Sequence, residues 1–234
     1  MKTFSMVTRV LLILAIPAFL FSLSIGIALN SQWLYEAGFV KYNIPQVTGI
    51  TMPELDKAAA GIITYFNNGD EYINVQIIKD GQPYQLYSED QKEIVHMKDV
   101  KALFHLDYKV LLGSFIVMIA CLGIILARKN RRRLYWGLTG GGALTLGIVI
   151  ALGIGVLTGF FDTLFIKFHE IAFTNTDWLL DPNIDVLVQM FPDGFWQDAV
   201  SFIGLLAASS ALVIGIIGGW LLWRQSHSKK FKHE

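Results

Sequence analysis

Five histidines are the side chains of this chain best suited to acid and base chemistry at neutral pH, because imidazole changes charge at about pH 6.5. His227 and His233 fall in a basic C-terminal stretch with Arg224, Lys229, Lys230 and Lys232, where solvated side chains are the plain expectation. His96, His105 and His169 stand apart from that tail. His96 lies beside the apolar stripe of its segment with Asp99 one helical turn on, a spacing at which a carboxylate can orient an imidazole ring. His169 follows Phe165 and Phe168, and His105 stands at the mouth of an apolar run, the place of an interfacial polar residue. An imidazole can take a proton from one reacting group or give one to another. Each also has a purely structural reading as a hydrogen-bonded histidine, and spacing alone does not choose between them. Other machineries are missing: there is no G-x-S-x-G elbow, no P-loop, no H-E-x-x-H pair and no glycine-rich nucleotide turn. The single cysteine, Cys121, excludes a disulfide within the chain and any cysteine metal motif.

The elements that carry these imidazoles are suited to a bilayer. With 53% hydrophobic and 16% charged residues, the composition is too apolar for an ordinary soluble fold. A helix needs roughly 20 mostly apolar residues to cross about 30 Å of hydrocarbon, and the stretches 10–29, 110–127, 134–160 and 200–223 qualify. Arg128-Lys129-Asn130-Arg131-Arg132-Arg133 holds five positive charges in six residues, and such a loop stays cytoplasmic. Lys2 and Arg9 before the first stretch and the basic tail after the last agree with it. Both termini are therefore expected in the cytoplasm, with the long segments outside. The fold class expected is a membrane all-α bundle of four transmembrane helices with a small α+β extracellular cap. Helix 1 lies within 1–30, the cap is 31–109, and helix 2 is 110–127. The basic loop is 128–133, helix 3 is 134–160, an aromatic-rich outer loop is 161–199, helix 4 is 200–223, and the cytoplasmic tail is 224–234. The first apolar run is nearer a spanning length than the core of a secretory signal, so an uncleaved anchor is expected. Gly147, Ala151, Gly155 and Gly159 in helix 3, and Ala207, Ala211, Gly215 and Gly219 in helix 4, recur at four-residue intervals, which favours close helix packing within the bundle. No acid stands inside the four stretches, so a transporter's proton relay has no residues. The zero formal net charge gives no reason to expect a nucleic-acid partner.

In the cap, Thr51 with Glu54 fits a capping box, followed by Leu55, Ala58, Ala59, Ile62, Ile63 and Phe66 at helical spacing and a stop at Asn67-Asn68-Gly69. Tyr72 to Ile78, an Asp80-Gly81 turn and Gln82 to Tyr87 predict a hairpin with Pro83 on an edge strand. From Ser88 a second helix is expected, and nothing obliges it to break before helix 2. The outer loop sets nine aromatics, Phe160 to Trp196, among the acids Asp162, Glu170, Asp177, Asp181, Asp185, Asp193 and Asp198. An aromatic belt at the membrane interface is the plain reading; walling a site for a lipid-bearing substrate is the functional one.

Three strings sharpen this. Glu93-Ile94-Val95-His96-Met97-Lys98-Asp99-Val100-Lys101, Phe168-His169-Glu170-Ile171-Ala172-Phe173 and Trp178-Leu179-Leu180-Asp181-Pro182-Asn183-Ile184-Asp185 resemble the bacterial lipoprotein intramolecular transacylase family, and Phe191-Pro192 and Phe195 continue the resemblance. What it implies is an acyltransferase of the bacterial plasma membrane, needing no cofactor and no metal. Its substrate would be a lipoprotein whose N-terminal cysteine carries a diacylglyceryl group, met among membrane lipids, and its site would lie at the extracellular membrane interface. The sn-2 acyl chain would move to the α-amino group of that cysteine, leaving the N-acyl, S-monoacylglyceryl lyso form. The resemblance maps a catalytic histidine pair onto His96 and His169 and leaves His105 without a match. Asp99, Asp181 and Asp185 are then candidates to orient the rings or meet the substrate ammonium, and Phe168, Phe173 and Trp178 to line the substrate. One histidine would deprotonate the amine and the other act at the ester, in either order.

Two other readings compete. A metal-dependent membrane hydrolase would use His96, His169 and nearby carboxylates as ligands, although tight zinc sites usually show closer ligand pairs. A non-catalytic membrane module would bind a partner through its cap and tolerate loss of both histidines. Oligomeric state and the particular lipoproteins are not encoded in any recognisable pattern.

Overall fold

The computed structural model describes residues 2–86 and 92–230. The expected helix start at Ser88, with Tyr87, Lys232 and His233, falls outside the described residues. In chain order the helices and strands are α1 (Lys2–Leu29), α2 (Gln32–Lys41), α3 (Ile44–Thr48), α4 (Met52–Asn67), β1 (Gln76–Lys79), β2 (Gln82–Gln85), α5 (Lys92–Ala127), α6 (Arg131–Leu157), α7 (Phe161–Ala172), α8 (Val186–Met190) and α9 (Asp193–Lys230). Helices α1, α5, α6 and α9 are each long and apolar enough to cross a membrane. Seven charged residues fall in 92–109 of α5 and none in 110–127, so its second half is the spanning part. The fold class is the expected one, four membrane helices with a small two-stranded sheet.

The chain forms two compact units, one of residues 1–25, 107–154 and 202–234, the other of 26–106 and 155–201. The first unit is the helical bundle. Leu12, Ile16 and Leu20 of α1 bury themselves with Cys121 and Ile125 of α5 and Ala211 of α9, and Leu112, Ile116, Leu205, Val213 and Ile216 face outward. Apolar surface on that scale requires a hydrocarbon surround. Close approach of α6 to α9 depends on Gly142, where a Cβ would lie 2.6 Å from the Ala211 carbonyl oxygen. The contact face of α6 is thus Gly137, Gly141, Gly142 and Thr145, all buried, and not the expected stripe, since Gly147 has open space around it. In α9, Ala207 and Ala211 are fully buried as the stripe implies. Ser24 and Thr145 donate to carbonyls one turn back, keeping their hydroxyls satisfied where water is absent. This unit contains twelve lysines and arginines against only Asp107 and Glu234, so the charge asymmetry of the basic loop extends through it.

The second unit carries the polar bulk. Helix α4 buries Leu55, Ala58, Ala59, Ile62 and Phe66 as its spacing predicts. The capping box does not form: Thr51 makes no side-chain cap, and the Glu54 carboxylate instead accepts the Ile78 N–H of β1 at 2.7 Å. The hairpin turns through Asp80 and Gly81, both at positive φ, and pairs Lys79 with Gln82 and Ile78 with Pro83. That is the two-residue turn the Asp-Gly pair favours. Helices α2, α3 and α8 have no counterpart in the expectations. Helix α2 packs its Tyr35 and Phe39 on Phe191 at 5.8 Å each, and Gly38 leaves room for the Phe195 ring. Boundaries differ from those expected at both ends of α6 and of α9, the latter running from Asp193 to Lys230 where 200–223 is expected. Helix α6 stops at Leu157, short of Phe160, because Gly159 turns into the left-handed region at φ 78°; α7 is a separate helix and not an extension of helix 3. The basic loop shrinks to 128–130, its last three arginines forming the first turn of α6.

Candidate active site

His96 and His169 meet within the second unit, their ring centroids 5.9 Å apart and their planes 30° from parallel. Both are buried. His96 sits in the second turn of α5, on the side that also buries Glu93, Ile94 and Met97. His169 sits in the last turns of α7, where amphipathic spacing turns Phe161 and His169 inward and leaves Phe168 exposed. Its Nδ1 lies 2.7 Å from the Phe165 carbonyl oxygen. A carbonyl only accepts, so Nδ1 carries the proton and Nε2 keeps its lone pair. The Nδ1 of His96, in contrast, is buried with no partner.

Burial sets the electrostatics. It pushes the His96 imidazole from 6.5 down to about 4, with the nearby His169 adding to the effect and Asp99 opposing it. Burial also lowers His169, against the pull of its bond to Phe165. At neutral pH both rings are uncharged, one presenting a basic nitrogen and the other an unsatisfied one. Around them the aromatics close in. Phe173 lies 5.0 Å from His96 and 5.5 Å from His169, and Trp178 lies 5.1 Å from His169. Phe168 meets His169 edge-on at 5.4 Å. Phe165, closer still at 4.3 Å, passes the contact on to Trp196 at 6.1 Å. Two neutral imidazoles in an aromatic enclosure can move a proton between a nucleophile and a leaving group with little competition from water.

A family model for lipoprotein intramolecular transacylases, Lit, matches residues 10–196, most of the chain. The chain belongs to that family. A solved structure of the membrane-integral lipoprotein intramolecular transacylase Lit from Bacillus cereus is similar over 97% of this chain and 100% of its own, at 20% identity and a TM-score of 0.82. Two further structures of that protein, with one histidine replaced by arginine or by alanine, are similar at 20% identity and a TM-score of 0.77, over 97% of this chain and 96% and 97% of theirs. At that identity the likeness is one of fold. Among curated proteins none matches this sequence.

The three candidate acids have different surroundings. Asp99, one turn beyond His96, acts on that ring through its charge while its Oδ2 accepts the Asn175 amide N–H at 2.7 Å. Asp181 and Asp185 serve the connection between α7 and α9: Asp185 accepts the Asp181 N–H, and Asp181 accepts the Asn183 backbone and side-chain N–H groups. Those bonds hold the Asp181 carboxyl below its usual range and give it the work of a turn. His105 is placed 3.3 Å from the Phe66 carbonyl oxygen, a structural pairing. Among the described residues no three His, Cys, Asp or Glu side chains converge as metal ligands. Glu93 and Phe165 are not among the residues the sequence singles out. The visible signal for Glu93 is its place three residues before His96; for Phe165 it is the four-residue spacing that puts its carbonyl under the imidazole of His169.

Proposed function

We propose that this protein moves the sn-2 acyl chain of a diacylglyceryl-cysteine lipoprotein onto the α-amino group of that same cysteine, by acid and base catalysis at His96 and His169. The observation that carries the reading is the pair itself: two buried, neutral imidazoles 5.9 Å apart, one with its tautomer fixed by a carbonyl and the other with a nitrogen left unpaired. Buried polar atoms in folded proteins are nearly always satisfied, so an exception at a site leaves a nitrogen open to pair with a substrate atom.

His169 Nε2 takes the proton from the substrate amine, whose own pKa of about 8 lies close to the working pH. The freed nitrogen attacks the ester carbonyl carbon. His96, held neutral by burial, pairs with the ester oxygen through its open nitrogen; of the two protons the ammonium nitrogen sheds on becoming the amide, one ends on the departing glyceryl oxygen and the other is released to water. One C–N bond forms and one C–O bond breaks, and no covalent enzyme intermediate is needed, because donor and acceptor belong to one molecule. Effective molarities for well-oriented intramolecular reactions reach about 10⁵ M or more, so folding the substrate back on itself is the protein's main task. Phe173 and Trp178 line that fold-back, and Phe168, exposed beside His169, meets the acyl chain. We place the reaction at the outer face of the bacterial plasma membrane with both termini in the cytoplasm, supported by the basic residues of 128–133 and of the two chain ends.

The test is mass spectrometry of a lipoprotein N-terminal peptide from cells making wild type, His96→Ala or His169→Ala at matched membrane levels. Conversion to the N-acyl lyso form by the wild type alone is expected. Unchanged lipid in all three would overturn the reading and leave a partner-binding module in its place.

A further inference from the structure

The connection between α7 and α9 has no regular structure from Phe173 to Asp185, so no backbone ladder fixes it, yet it carries Phe173 and Trp178 against the histidines. Side chains from α5 hold it at two points. The Asp99 carboxylate takes the Asn175 amide at 2.7 Å. Glu93, 2% exposed, takes the backbone N–H of Leu187 at 2.5 Å in the first turn of α8. That turn has no cap of its own, since its N-cap residue Asp185 makes no side-chain cap and spends its carboxylate on Asp181. Glu93, His96 and Asp99 follow one another at three-residue intervals, on successive turns of one side of α5. The two anchors therefore bracket His96 along the helix, and the segment between the tethered residues, 175 to 187, includes the Trp178 that packs on His169.

We propose that Glu93 and Asp99 are positioning residues that clasp this connection over the two histidines, and that the clasp decides whether the acyl group goes to the amine or to water. The inference rests on the transacylase reading above. In transfer, the cysteine nitrogen attacks the ester carbonyl carbon and the glyceryl oxygen leaves with a proton. In the competing hydrolysis the oxygen of water attacks the same carbon, giving a free fatty acid and the same glyceryl hydroxyl. Water needs no fold-back, so an enclosure that opens loses transfer before it loses hydrolysis. A backbone N–H and a side-chain amide need only an acceptor oxygen, which glutamine and asparagine also supply.

The experiment measures free fatty acid and N-acyl product together, from purified protein and a diacylglyceryl lipopeptide, for wild type, Glu93→Ala, Asp99→Ala, the double alanine variant, and Glu93→Gln with Asp99→Asn. Loss of one hydrogen bond corresponds to up to about tenfold in an equilibrium, so the ratio of fatty acid to N-acyl product should rise by up to about tenfold in each alanine variant and further in the double. The amide variants should restore the wild-type ratio. Poor folding lowers both products alike and leaves the ratio unmoved; should the double variant fail to accumulate, Asp99→Ala, whose hydrogen bond is the more exposed of the two, gives the same readout. A ratio unchanged in every alanine variant overturns the clasp. A wild type that forms no N-acyl product overturns the transacylase reading instead.

Discussion

Replacing Glu93 by glutamine should uncover a pH dependence of stability that the wild-type chain conceals. Burial, with the negative charge of Asp185 adding to it, raises the Glu93 carboxyl from 4.5 to about 7, against the pull of the Leu187 N–H. A carboxyl raised in this way favours the fold when protonated. Its contribution is complete below the unfolded value and is lost as the pH rises through about 7. At about 1.4 kcal/mol per pH unit, that interval is worth on the order of 3 kcal/mol. His96, one turn along, works in the opposite sense, because its imidazole is lowered from 6.5 to about 4. Its contribution is present above 6.5 and is lost as the pH falls toward 4, again on the order of 3 kcal/mol. Between roughly pH 4.5 and 6.5 the two slopes cancel; His169, also lowered, leaves a residual loss on the acid side. The assay is thermal unfolding of detergent-solubilised protein at pH 4.5 and 7.5. At roughly 2–4 °C per kcal/mol for a chain of this size, the Tm of Glu93→Gln relative to wild type should be higher at pH 7.5 than at pH 4.5 by roughly 6–12 °C. His96→Ala should shift the other way, gaining on wild type as the pH falls. A Glu93→Gln difference that stays constant within about 2 °C would refute the argument, since it would mean that the buried carboxyl carries no cost of ionisation.

Three further outcomes follow from the packing. Gly142→Ala places a Cβ 2.6 Å from the Ala211 carbonyl oxygen, so α6 and α9 must part, at a cost of roughly 1–3 kcal/mol read as a lower Tm in detergent. Lys101, buried, donates to the Asn68 side chain and the Asp70 carbonyl and lies 4.1 Å over the Tyr65 ring; Lys101→Met leaves those acceptors without their donor and should cost roughly 1–3 kcal/mol, measured the same way. Acyl transfer should be unchanged by EDTA, because among the described residues no three ligand-type side chains converge, and inhibition reversed by added zinc would revive the metal-hydrolase reading.

The membrane helices were legible because the bilayer imposes a length and an apolar composition that few other elements satisfy. The α4 core follows equally from local pattern. What escaped was settled by neighbours. Glu54 has the spacing of a capping box, yet the Ile78 N–H claims its carboxylate, and no local rule anticipates a strand arriving from 24 residues away. Helix α6 carries small residues on more than one face, and only its neighbours decide that Gly141 meets Ile16 of α1 and Gly142 meets Ala211 of α9, while Gly147 meets nothing. Helices α3 and α8, five residues each, carry too little pattern to announce themselves. At the site, the strings that carry the family resemblance bring His96, Asp99 and His169 forward as candidates, and the fold sets the rings of His96 and His169 5.9 Å apart. The clasp of Glu93 on Leu187 spans 94 residues and belongs to the tertiary fold alone.

The bond from His169 to the Phe165 carbonyl has a consequence for timing. In hydrolases of the serine type a carboxylate behind the histidine lets the imidazolium persist. Here only a peptide dipole stands behind it, in surroundings that already disfavour the charged ring. In the proposed mechanism the proton lifted from the amine would therefore be held briefly, and attack at the carbonyl and release of the glyceryl oxygen would have to follow one another without a resting stage. On that mechanism a substrate whose ester is not already in place when the amine is deprotonated would return its proton and leave unchanged, so the chemistry itself would inspect whether donor and acceptor have met.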